Sequence, residues 1–246
     1  MSQHIALVTG ADRGLGLALT AGLLERGWRV FAGRYLPDWP ELDGLAERFG
    51  AQLTLLPLDV ASFDSLQAAA QVLAERAGQL DLLINNAGIH TPGTRFAIRE
   101  GLDYADIHHV IDVNSLGPLR VVQTFLPLLE PSPIKRLVFV SSEAGSVTRA
   151  QRTSWYSYCM SKAALNMSIK LMFNDLHRQG FTFRAYHPGW VRSYMSGKKN
   201  EQADLEPDEA ARPALDFFLG GIDGQPSDYD EDQLVLRDYR GEIWPW

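Results

Sequence analysis

Cysteine and net positive charge are what this sequence most clearly lacks. Cys159 is the single cysteine, which excludes an internal disulfide framework and is typical of a reducing compartment. The net charge of −7 argues against non-specific binding to a nucleic-acid backbone, because proteins that bind one usually present a basic face. We therefore expect no nucleic-acid partner.

Long apolar runs and a leader pattern are also lacking. No apolar stretch approaches the roughly 20 residues that a membrane-spanning helix needs. The start MSQHIALVTG has no basic beginning, long apolar core or small-residue cleavage site of a secretory signal. Together with the single cysteine, these absences predict a cytoplasmic protein with no membrane partner.

Clusters typical of a metal centre are not evident either. The histidines at 90, 108, 109 and 187 show no metal-ligand spacing of their own. The acidic residues between 228 and 232 are interpreted as a solvated turn, since no rigid scaffold around them is evident. We expect no catalytic metal.

The sequence does contain a regular alternation of short apolar runs and amphipathic stretches up to about residue 190. This alternation predicts βαβ units around a parallel sheet. The 246 residues, 46% of them hydrophobic, fit one domain over 1–246. We expect an α/β single-domain Rossmann fold, a doubly wound parallel sheet of about seven strands with helices on both faces. Ligands should bind at the carboxyl ends of the strands.

The element boundaries can be read from these patterns. Predicted strands cover 5–9, 28–32, 52–58, 80–84, 136–141, 181–186 and 234–236. Predicted helices cover 15–26, 41–49, 62–77, 103–129, 156–178 and 207–219, the fourth of them disturbed near Gly117 and Pro118. The polar segment 190–206 lacks apolar periodicity and is interpreted as a mobile substrate lid.

A glycine-rich turn joins the first strand to the first helix. Gly10, Gly14 and Gly16 allow a tight turn and close backbone approach to a pyrophosphate, which the helix N-terminus would attract. The spacing is G-x-x-x-G-x-G rather than the G-x-G-x-x-G of the common dinucleotide pattern. By itself the turn is as consistent with a plain strand-to-helix connection as with a nucleotide site.

Three charged residues bear on which nucleotide such a site would take. The second strand ends at Arg34, where a site for NAD typically has an acid for the ribose 2′-hydroxyl. Arg34 and Arg13 could converge on a 2′-phosphate, which favours NADP(H) over two ordinary surface arginines. Asp59 could accept a hydrogen bond from adenine, or it could cap a helix.

Tyr158 and Lys162 lie four residues apart in a predicted helix and so share a face. An ammonium near a phenol lowers its pKa from about 10, which lets tyrosine exchange a proton with a substrate oxygen. Tyr156 lies on another side of the helix. Such a pair is, in isolation, more often two ordinary helix residues, so the surroundings must support the interpretation.

Two further motifs supply those surroundings. Ser141 and Ser142 end the fifth strand and point to opposite faces, so one of them can hold a substrate oxygen, and we favour Ser142. The sequence Asn85-Asn86-Ala87-Gly88 ends the fourth strand with small residues that let a cofactor approach. A simple Asn/Gly turn would look the same.

These motifs, in order along nearly the whole chain, closely resemble the short-chain dehydrogenase/reductase family. They are TGADRGLG at 9–16, LDV at 58–60, NNAG at 85–88, VNSLG at 113–117, SSEAG at 141–145, YCMSK at 158–162 and HPGWVRS at 187–193. The run SKAALNM at 161–167, the HPGWV stretch and the ending GEIWPW are similar to the C-factor and sniffer-like carbonyl reductase branch.

The resemblance implies a catalytic tetrad of Asn114, Ser142, Tyr158 and Lys162. Tyr158 would be the general acid in reduction, Ser142 would orient the carbonyl, and Asn114 would hold a water that feeds protons toward Lys162. The expected cofactor-binding residues are Gly10, Asp12, Arg13, Gly14, Leu15, Gly16, Arg34, Asp59, Val60, Asn86, Ala87, Gly88, Tyr158, Lys162, Pro188, Gly189, Val191 and Ser193. The expected substrate-lining residues are His90, Ser142, Glu143 and Trp190.

Two features depart from the family pattern. The interval from Ser142 to Tyr158 is longer than usual, which suggests an enlarged loop beside the substrate and leaves Ser141 open as an alternative to Ser142. Ser193 stands where threonine is more usual, and its hydroxyl should preserve the cofactor contact.

The leading hypothesis is an NADP(H)-dependent reductase of a small ketone or aldehyde, assembled as a homodimer or homotetramer. One alternative is an alcohol dehydrogenase of the same fold that uses NAD(H). The other is a dinucleotide-binding redox sensor without activity, against which the complete tetrad argues.

Overall fold

Short apolar runs form the strands of a central sheet, because each is buried on both faces by helices. The computed structural model describes residues 3–195 and 197–246, and within them the sheet has eight strands. They are β1 Ile5–Val8, β2 Arg29–Arg34, β3 Leu53–Pro57, β4 Leu82–Asn85, β5 Arg136–Val140, β6 Thr182–His187, β7 Leu236–Asp238 and β8 Ile243–Trp244. Their order is β3-β2-β1-β4-β5-β6-β7-β8.

The strand order confirms the predicted doubly wound α/β fold. The pairings from β3 to β7 are all parallel, and the sequence order reverses direction between β1 and β4. Ligands of such sheets bind at this reversal, outside the carboxyl ends of the strands. The eighth strand was not predicted: β8 pairs antiparallel with β7 through Leu236 and Trp244, too short a segment to show a period of its own.

Helices cover both faces of the sheet, as predicted. They are α1 Gly14–Glu25, α2 Glu41–Phe49, α3 Phe63–Arg76, α4 Tyr104–Ile111, α5 Gly117–Leu129, α6 Tyr156–Leu176 and α7 Pro207–Leu219. One core layer contains buried side chains of α3, α5 and α6, and the other contains those of α1, α2 and α7. The two layers hold the sheet rigid between them, so that the strand ends are fixed positions.

The predicted long helix over 103–129 is divided by a π-helical turn at Asp112–Leu116. Pro118 has no backbone N–H to donate within α5. The N–H of the preceding Gly117 donates to the carbonyl oxygen of Asp112, which closes the π-helical turn. A Cβ on Gly117 would lie 2.9 Å from a methyl group of Val60, so only glycine fits there. Turns of this kind are frequent at functional sites, and this one carries the buried Asn114.

The acidic segment near residue 230 is not simply a solvated turn. Glu231 pairs with Arg184 at 2.5 Å and with Arg136 at 3.3 Å, and both arginines are buried in the sheet. Asp228 pairs with Arg237 of β7 at 2.7 Å. The interpretation was wrong for Glu231, because its partners lie on strands far away in the chain, whereas Asp228 stays largely exposed.

The described parts of the chain have neither a membrane-spanning helix nor a metal-binding cluster. No helix there combines the length and the hydropathy that crossing a membrane requires. Within residues 3–195 and 197–246, no group of three or more His, Cys, Asp or Glu side chains could hold a metal ion.

Candidate active site

The glycine turn and the end of β4 form one closely packed unit. The side-chain amide of Asn86 donates to the carbonyl oxygens of Thr9 and Gly10, each at 3.0 Å. The hydroxyl of Thr9 accepts the N–H groups of Asn86 and Ala87, also at 3.0 Å. Asn86 and Ala87 therefore support the turn, and the small residues the sequence pointed to meet each other there.

The positions of the glycines show why no other residue fits. Gly10 has a φ of +61°, and a Cβ there would lie 2.9 Å from the Cα of Ala87. A Cβ on Gly16 would lie 2.1 Å from the carbonyl oxygen of Gly10. Arg13, at the N-cap of α1, makes no side-chain hydrogen bond to the first helical turn, and the neighbouring Leu15 is buried. The first N–H groups of α1 thus form a cradle suited to a phosphate.

The residues predicted around the adenosine have partners within the protein. Asp12 is buried, and its carboxylate accepts the N–H groups of Tyr35 and Leu36 at 2.8 and 2.9 Å. Asp59 accepts the N–H of Ala61 at 2.8 Å, and the adjacent Val60 is buried. Both carboxylates order the loops that follow β2 and β3, so they shape the edge of the cleft.

The two candidate arginines are held by different groups. Arg34 forms an ion pair with Asp43 of α2 at 2.6 Å. The guanidinium of Arg13 lies 4.7 Å from the ring centre of Trp39 and donates to the carbonyl of Tyr194 at 3.1 Å. The ring centres of Trp39 and Tyr194 are themselves 4.9 Å apart. Arg13 therefore joins the loop after β2 to the segment after β6.

The segment after β6 faces the same cleft. Gly189 has a φ of +80°, and a Cβ there would lie 2.8 Å from the Tyr239 ring, which explains the glycine after Pro188. Val191 forms a bridge with Leu205, and a Cβ on Gly14 would lie 3.4 Å from the Cβ of Ser193. The structure thus brings 188–193 against the glycine turn.

The four residues of the predicted tetrad come together at the ends of β4 and β5. A Cβ on Gly88 would lie 3.3 Å from Asn114 Oδ1 and 3.7 Å from Lys162 Nζ. Lys162 Nζ lies 5.8 Å from the centre of the Tyr158 ring, and the Ser142 hydroxyl lies near enough to the Tyr158 hydroxyl to oppose the rise in its pKa. Their grouping results from the parallel strands, whose carboxyl ends share one edge.

Hydrogen bonds hold three members of the tetrad, Asn114, Lys162 and Ser142, in place. Asn114 accepts the N–H of Ile89 at 2.7 Å and donates to the Ile89 carbonyl at 2.9 Å, which holds the chain after Gly88 in place. Lys162 is buried and donates to the carbonyl of Val140 at 3.0 Å. Ser142 caps a short 3-10 turn by accepting the N–H of Ala144 at 3.1 Å.

The two serines at the end of β5 have different surroundings. The hydroxyl of Ser141 donates to Asn166 of α6 at 2.6 Å, and the side-chain amide of Asn166 donates to the Gly145 carbonyl at 3.2 Å. Ser141 therefore ties the turn to α6, while Ser142 contacts Tyr158. Asn166 was missed in the sequence, although it lies four residues after Lys162 and so on the same face of α6.

Burial changes the pKa of both residues expected to manage protons. It lowers the pKa of Lys162 from 10.5 to about 8, because the ammonium is removed from water. The pKa of Tyr158 is raised to about 12 by burial, with the Ser142 hydrogen bond opposing and the Glu143 charge adding to the shift. The expected lowering of the Tyr158 pKa is therefore wrong for this arrangement, since burial and a carboxylate outweigh the ammonium.

Aromatic side chains surround Tyr158 on the substrate side. The ring of His90 lies 4.5 Å from that of Trp155 and 5.4 Å from that of Tyr158. Burial and then the charge of Arg95 lower the pKa of His90. Trp190 is 52% exposed, and its carbonyl accepts the N–H of Leu205 at 3.1 Å. Trp155 has a left-handed φ of +69° that only the folded loop reveals.

The fold and this arrangement define a class of protein: an α/β enzyme with a dinucleotide-type cradle and a Ser/Tyr/Lys group at the strand ends. A family model described as short chain dehydrogenase matches residues 4–204. The chain therefore belongs to the short-chain dehydrogenase/reductase family of oxidoreductases, as its motifs predicted.

Curated relatives cover most of the chain. The C-signal protein of Myxococcus xanthus is 38% identical over 169 residues, which are 69% of this chain and 94% of that protein. A 1-hydroxy-2-glutathionyl-2-methyl-3-butene dehydrogenase of Rhodococcus sp. is 33% identical over 208 residues, 83% of this chain and 86% of that one.

Solved structures agree over the full length. The NADPH-bound carbonyl reductase from chicken fatty liver is 30% identical, with a TM-score of 0.85 and coverage of 100% of both chains. The carbonyl reductase Sniffer of D. melanogaster has a TM-score of 0.87 and also covers both chains completely. At 24% identity, the likeness to Sniffer supports the fold alone.

Proposed function

We propose that this oxidoreductase reduces a ketone or aldehyde to an alcohol with NADP(H), and that Tyr158 supplies the proton. The observation that carries the proposal is the grouping of Tyr158, Ser142 and the buried Lys162 at the ends of β4 and β5. Two hydroxyls that meet at one point can both bind a single carbonyl oxygen, and one of them can protonate it as it becomes an alkoxide.

A reduced nicotinamide, when bound, supplies the hydride for this reaction. The residues present fit such a cofactor, because the first N–H groups of α1 have no side-chain cap and glycine at 16 lets the turn close against Gly10 and Asn86. The remaining expected contacts come from Asn86, Ala87 and Gly88 at the end of β4 and from 188–193 after β6. Lys162 lies beside Gly88 and would bind the ribose next to the nicotinamide.

The protein's own residues manage the proton. Tyr158, with its raised pKa, stays protonated at neutral pH and is ready to donate to a developing alkoxide. Ser142 would orient the carbonyl oxygen toward Tyr158, and Lys162 would stabilise the phenolate that remains after donation. Asn114 holds the backbone of Ile89, and through it the wall of the cleft behind Gly88.

We prefer NADP(H) to NAD(H) as cofactor because β2 ends in Arg34 and not in an acid. A 2′-phosphate near Arg34 and Arg13 would compete with Asp43 for the guanidinium donors of Arg34. The NADPH-bound carbonyl reductase from chicken fatty liver supports the same choice. NAD(H) with an alcohol substrate is the alternative that a cofactor comparison decides.

We also propose that residues 190–206 form a lid over the cleft. Ser196 of this segment lies outside the described residues. Tyr194 meets Trp39 and Arg13 across the cleft, and the base of the segment is fixed where Arg192 pairs with Glu206 at 2.7 Å. Hydrogen exchange of 190–206 should slow when NADPH is added. Equal exchange with and without NADPH would contradict a lid.

The assay that tests the function is a panel of aldehydes and ketones incubated with NADPH or NADH. Loss of the absorbance of the reduced cofactor, dependent on both enzyme and carbonyl, is the expected result. Tight NADPH binding without turnover of any carbonyl would instead support a dinucleotide sensor.

Cytoplasmic location and assembly as a homodimer or homotetramer remain part of the proposal. Exposed apolar side chains at Met160, Met167 and Leu171 form one side of α6 and are consistent with contact between subunits. Light scattering of the purified protein would measure the mass, and a monomer would contradict the assembly.

A further inference from the structure

Glu143 directly follows Ser142, and its carboxylate accepts a hydrogen bond from the serine hydroxyl. The hydroxyl of Ser142 donates to Oε2 of Glu143 in a short hydrogen bond. The N–H of Ala144 donates to the same oxygen at 2.8 Å. Ser142 therefore directs its proton toward Glu143 and presents a lone pair, not a donor, to Tyr158.

The second carboxylate oxygen of Glu143 is held from the solvent side. Oε1 accepts the guanidinium of Arg152 in a short ion pair, and Arg152 itself lies 5.2 Å from the centre of the Trp155 ring. Burial by itself would raise the pKa of Glu143, but the hydrogen bonds from Ser142 and Arg152 lower it by more. The pKa is therefore below its ordinary value, and the carboxylate is charged at neutral pH. Its position beside Ser142 is thus fixed at both ends.

Charged and titratable groups face this cluster from several elements. Arg152 faces it from the loop before α6, His187 from the end of β6, and His90 from the loop after β4. Cys159 and Lys162 face Tyr158 from α6. Burial lowers the pKa of His187, while the Glu143 charge opposes that shift. Among these groups Glu143 contributes the negative charge next to the reacting hydroxyls.

We propose that Glu143 is a positioning residue that holds the Ser142 proton away from Tyr158 and thereby keeps Tyr158 in its proton-donating form, so that carbonyl reduction persists to higher pH. The inference rests on the proposed function. Ser142 can stabilise a phenolate only by turning its proton from Glu143 to Tyr158. The carboxylate opposes that change in two ways, by competing for the proton and by repelling the phenolate charge.

A carbonyl substrate removes the competition at the moment of reaction. When the carbonyl oxygen becomes an alkoxide, it offers Ser142 an acceptor at least as strong as a carboxylate, and the proton of Ser142 can turn to it. Tyr158 then donates its own proton to the same oxygen.

The test is Glu143→Gln, which keeps the size of the side chain and removes the charge. Tyr158 is titrated by the ultraviolet absorbance of phenolate, with the Tyr158→Phe protein subtracted to isolate its signal. We expect the titration of Tyr158 to move to lower pH by about one unit, which at neutral pH raises the phenolate fraction about tenfold. The pH above which carbonyl reduction is lost should fall by about the same one unit, because reduction needs the protonated phenol.

Three further variants complete the design. Glu143→Ala should give the same direction of shift without needing any partner for its side chain. Glu143→Asp keeps the charge and should titrate close to the original protein. Glu75→Gln removes an exposed carboxylate of α3 that accepts a hydrogen bond from the side chain of Gln71. This control should change neither readout.

An unchanged Tyr158 titration in both Glu143→Gln and Glu143→Ala would overturn the inference, whatever the activity. The titration requires no turnover, so the two proposals can fail separately. A shifted titration in an enzyme that reduces no carbonyl would overturn the proposed function and leave the effect of Glu143 on Tyr158 standing.

Discussion

The side-chain amide of Asn86 lies 3.0 Å from the carbonyl oxygen of Gly10, which joins the end of β4 to the glycine turn after β1. The contact leaves no space above Gly16, where a Cβ would lie 2.5 Å from the same amide nitrogen. The cradle at the start of α1 therefore depends on residues about 76 positions apart in the chain.

Gly16→Ala should disrupt this cradle. The new methyl group would push the Gly10 carbonyl and Asn86 apart, and both of them shape the phosphate site. We expect NADPH affinity, measured by fluorescence titration, to fall at least about tenfold, since more than one backbone contact is displaced. Gly44→Ala in α2 is the matched control, because nothing lies within 4 Å of its added methyl. It should stabilise the protein by about 0.5–1 kcal/mol.

Tyr158→Phe should abolish carbonyl reduction while NADPH still binds. The substitution removes the proton donor and keeps the ring that packs near His90 and Trp155. A loss of about 100-fold to 10,000-fold in kcat is expected for a missing general acid. Tyr156→Phe, on the first turn of the same helix, is the control and should retain activity. Undiminished turnover in the Tyr158 variant would remove that residue from the mechanism.

Arg34→Ala should weaken NADPH binding more than NADH binding, because a 2′-phosphate is present only in NADPH. A loss of about 1.5–3 kcal/mol for NADPH is typical of a hydrogen bond to a charged group. Asp43→Asn frees Arg34 from its ion pair and should tighten NADPH. Both affinities can be measured by titration calorimetry. Equal losses for the two cofactors would show that Arg34 does not read the 2′-phosphate.

The stability of the protein should rise with pH above about 8 on account of Lys162. Burial lowers its pKa from 10.5 to about 8, so between these values the unfolded chain holds a proton that the folded protein has lost. Stability therefore increases as pH rises through this window, by about 3 kcal/mol at the upper end. Urea unfolding at several pH values measures the slope. Lys162→Met should lack this contribution, and an identical slope in both proteins would contradict the assignment.

Glu231→Gln should destabilise the fold without affecting the active site. It leaves the buried guanidinium groups of Arg184 and Arg136 without a counter-charge. Loss of one partner from a buried ion pair costs about 3 kcal/mol. Asp232→Asn is the control, because it removes an exposed carboxylate of the same segment that pairs with His177. It should lower the stability by less than about 1 kcal/mol. Similar thermal midpoints for the two variants would argue against a structural role of Glu231.

Local patterns predicted most of the sheet and the Tyr158–Lys162 pair, and the family resemblance added Asn114 and the full tetrad. Ile5–Val8, Glu41–Phe49 and Pro207–Leu219 follow from periodicity and turn residues that lie within one segment. Tyr158 and Lys162 could be paired because helical spacing is itself a local property. The strand ends converge because parallel strands share one edge, a consequence of the fold class alone.

Side-chain contacts, even between segments close in the chain, could not be predicted in the same way. The partner of Arg34 is Asp43, the proton of Ser142 goes to Glu143, and Glu143 is held by Arg152, none of which has a periodic signature. The rise in the Tyr158 pKa depends on burial, which is a property of the packed structure.

The sequence by itself determined the fold class, the order of the elements and the residues capable of proton transfer, since these depend on spacing along the chain. Only the tertiary structure decided that Ser141 binds Asn166 while Ser142 meets Tyr158, that a π-helical turn carries Asn114, and that Glu231 neutralises two buried arginines. The physical reason is that hydrogen bonds and charge pairs depend on distance in space, and packing sets that distance independently of position in the chain.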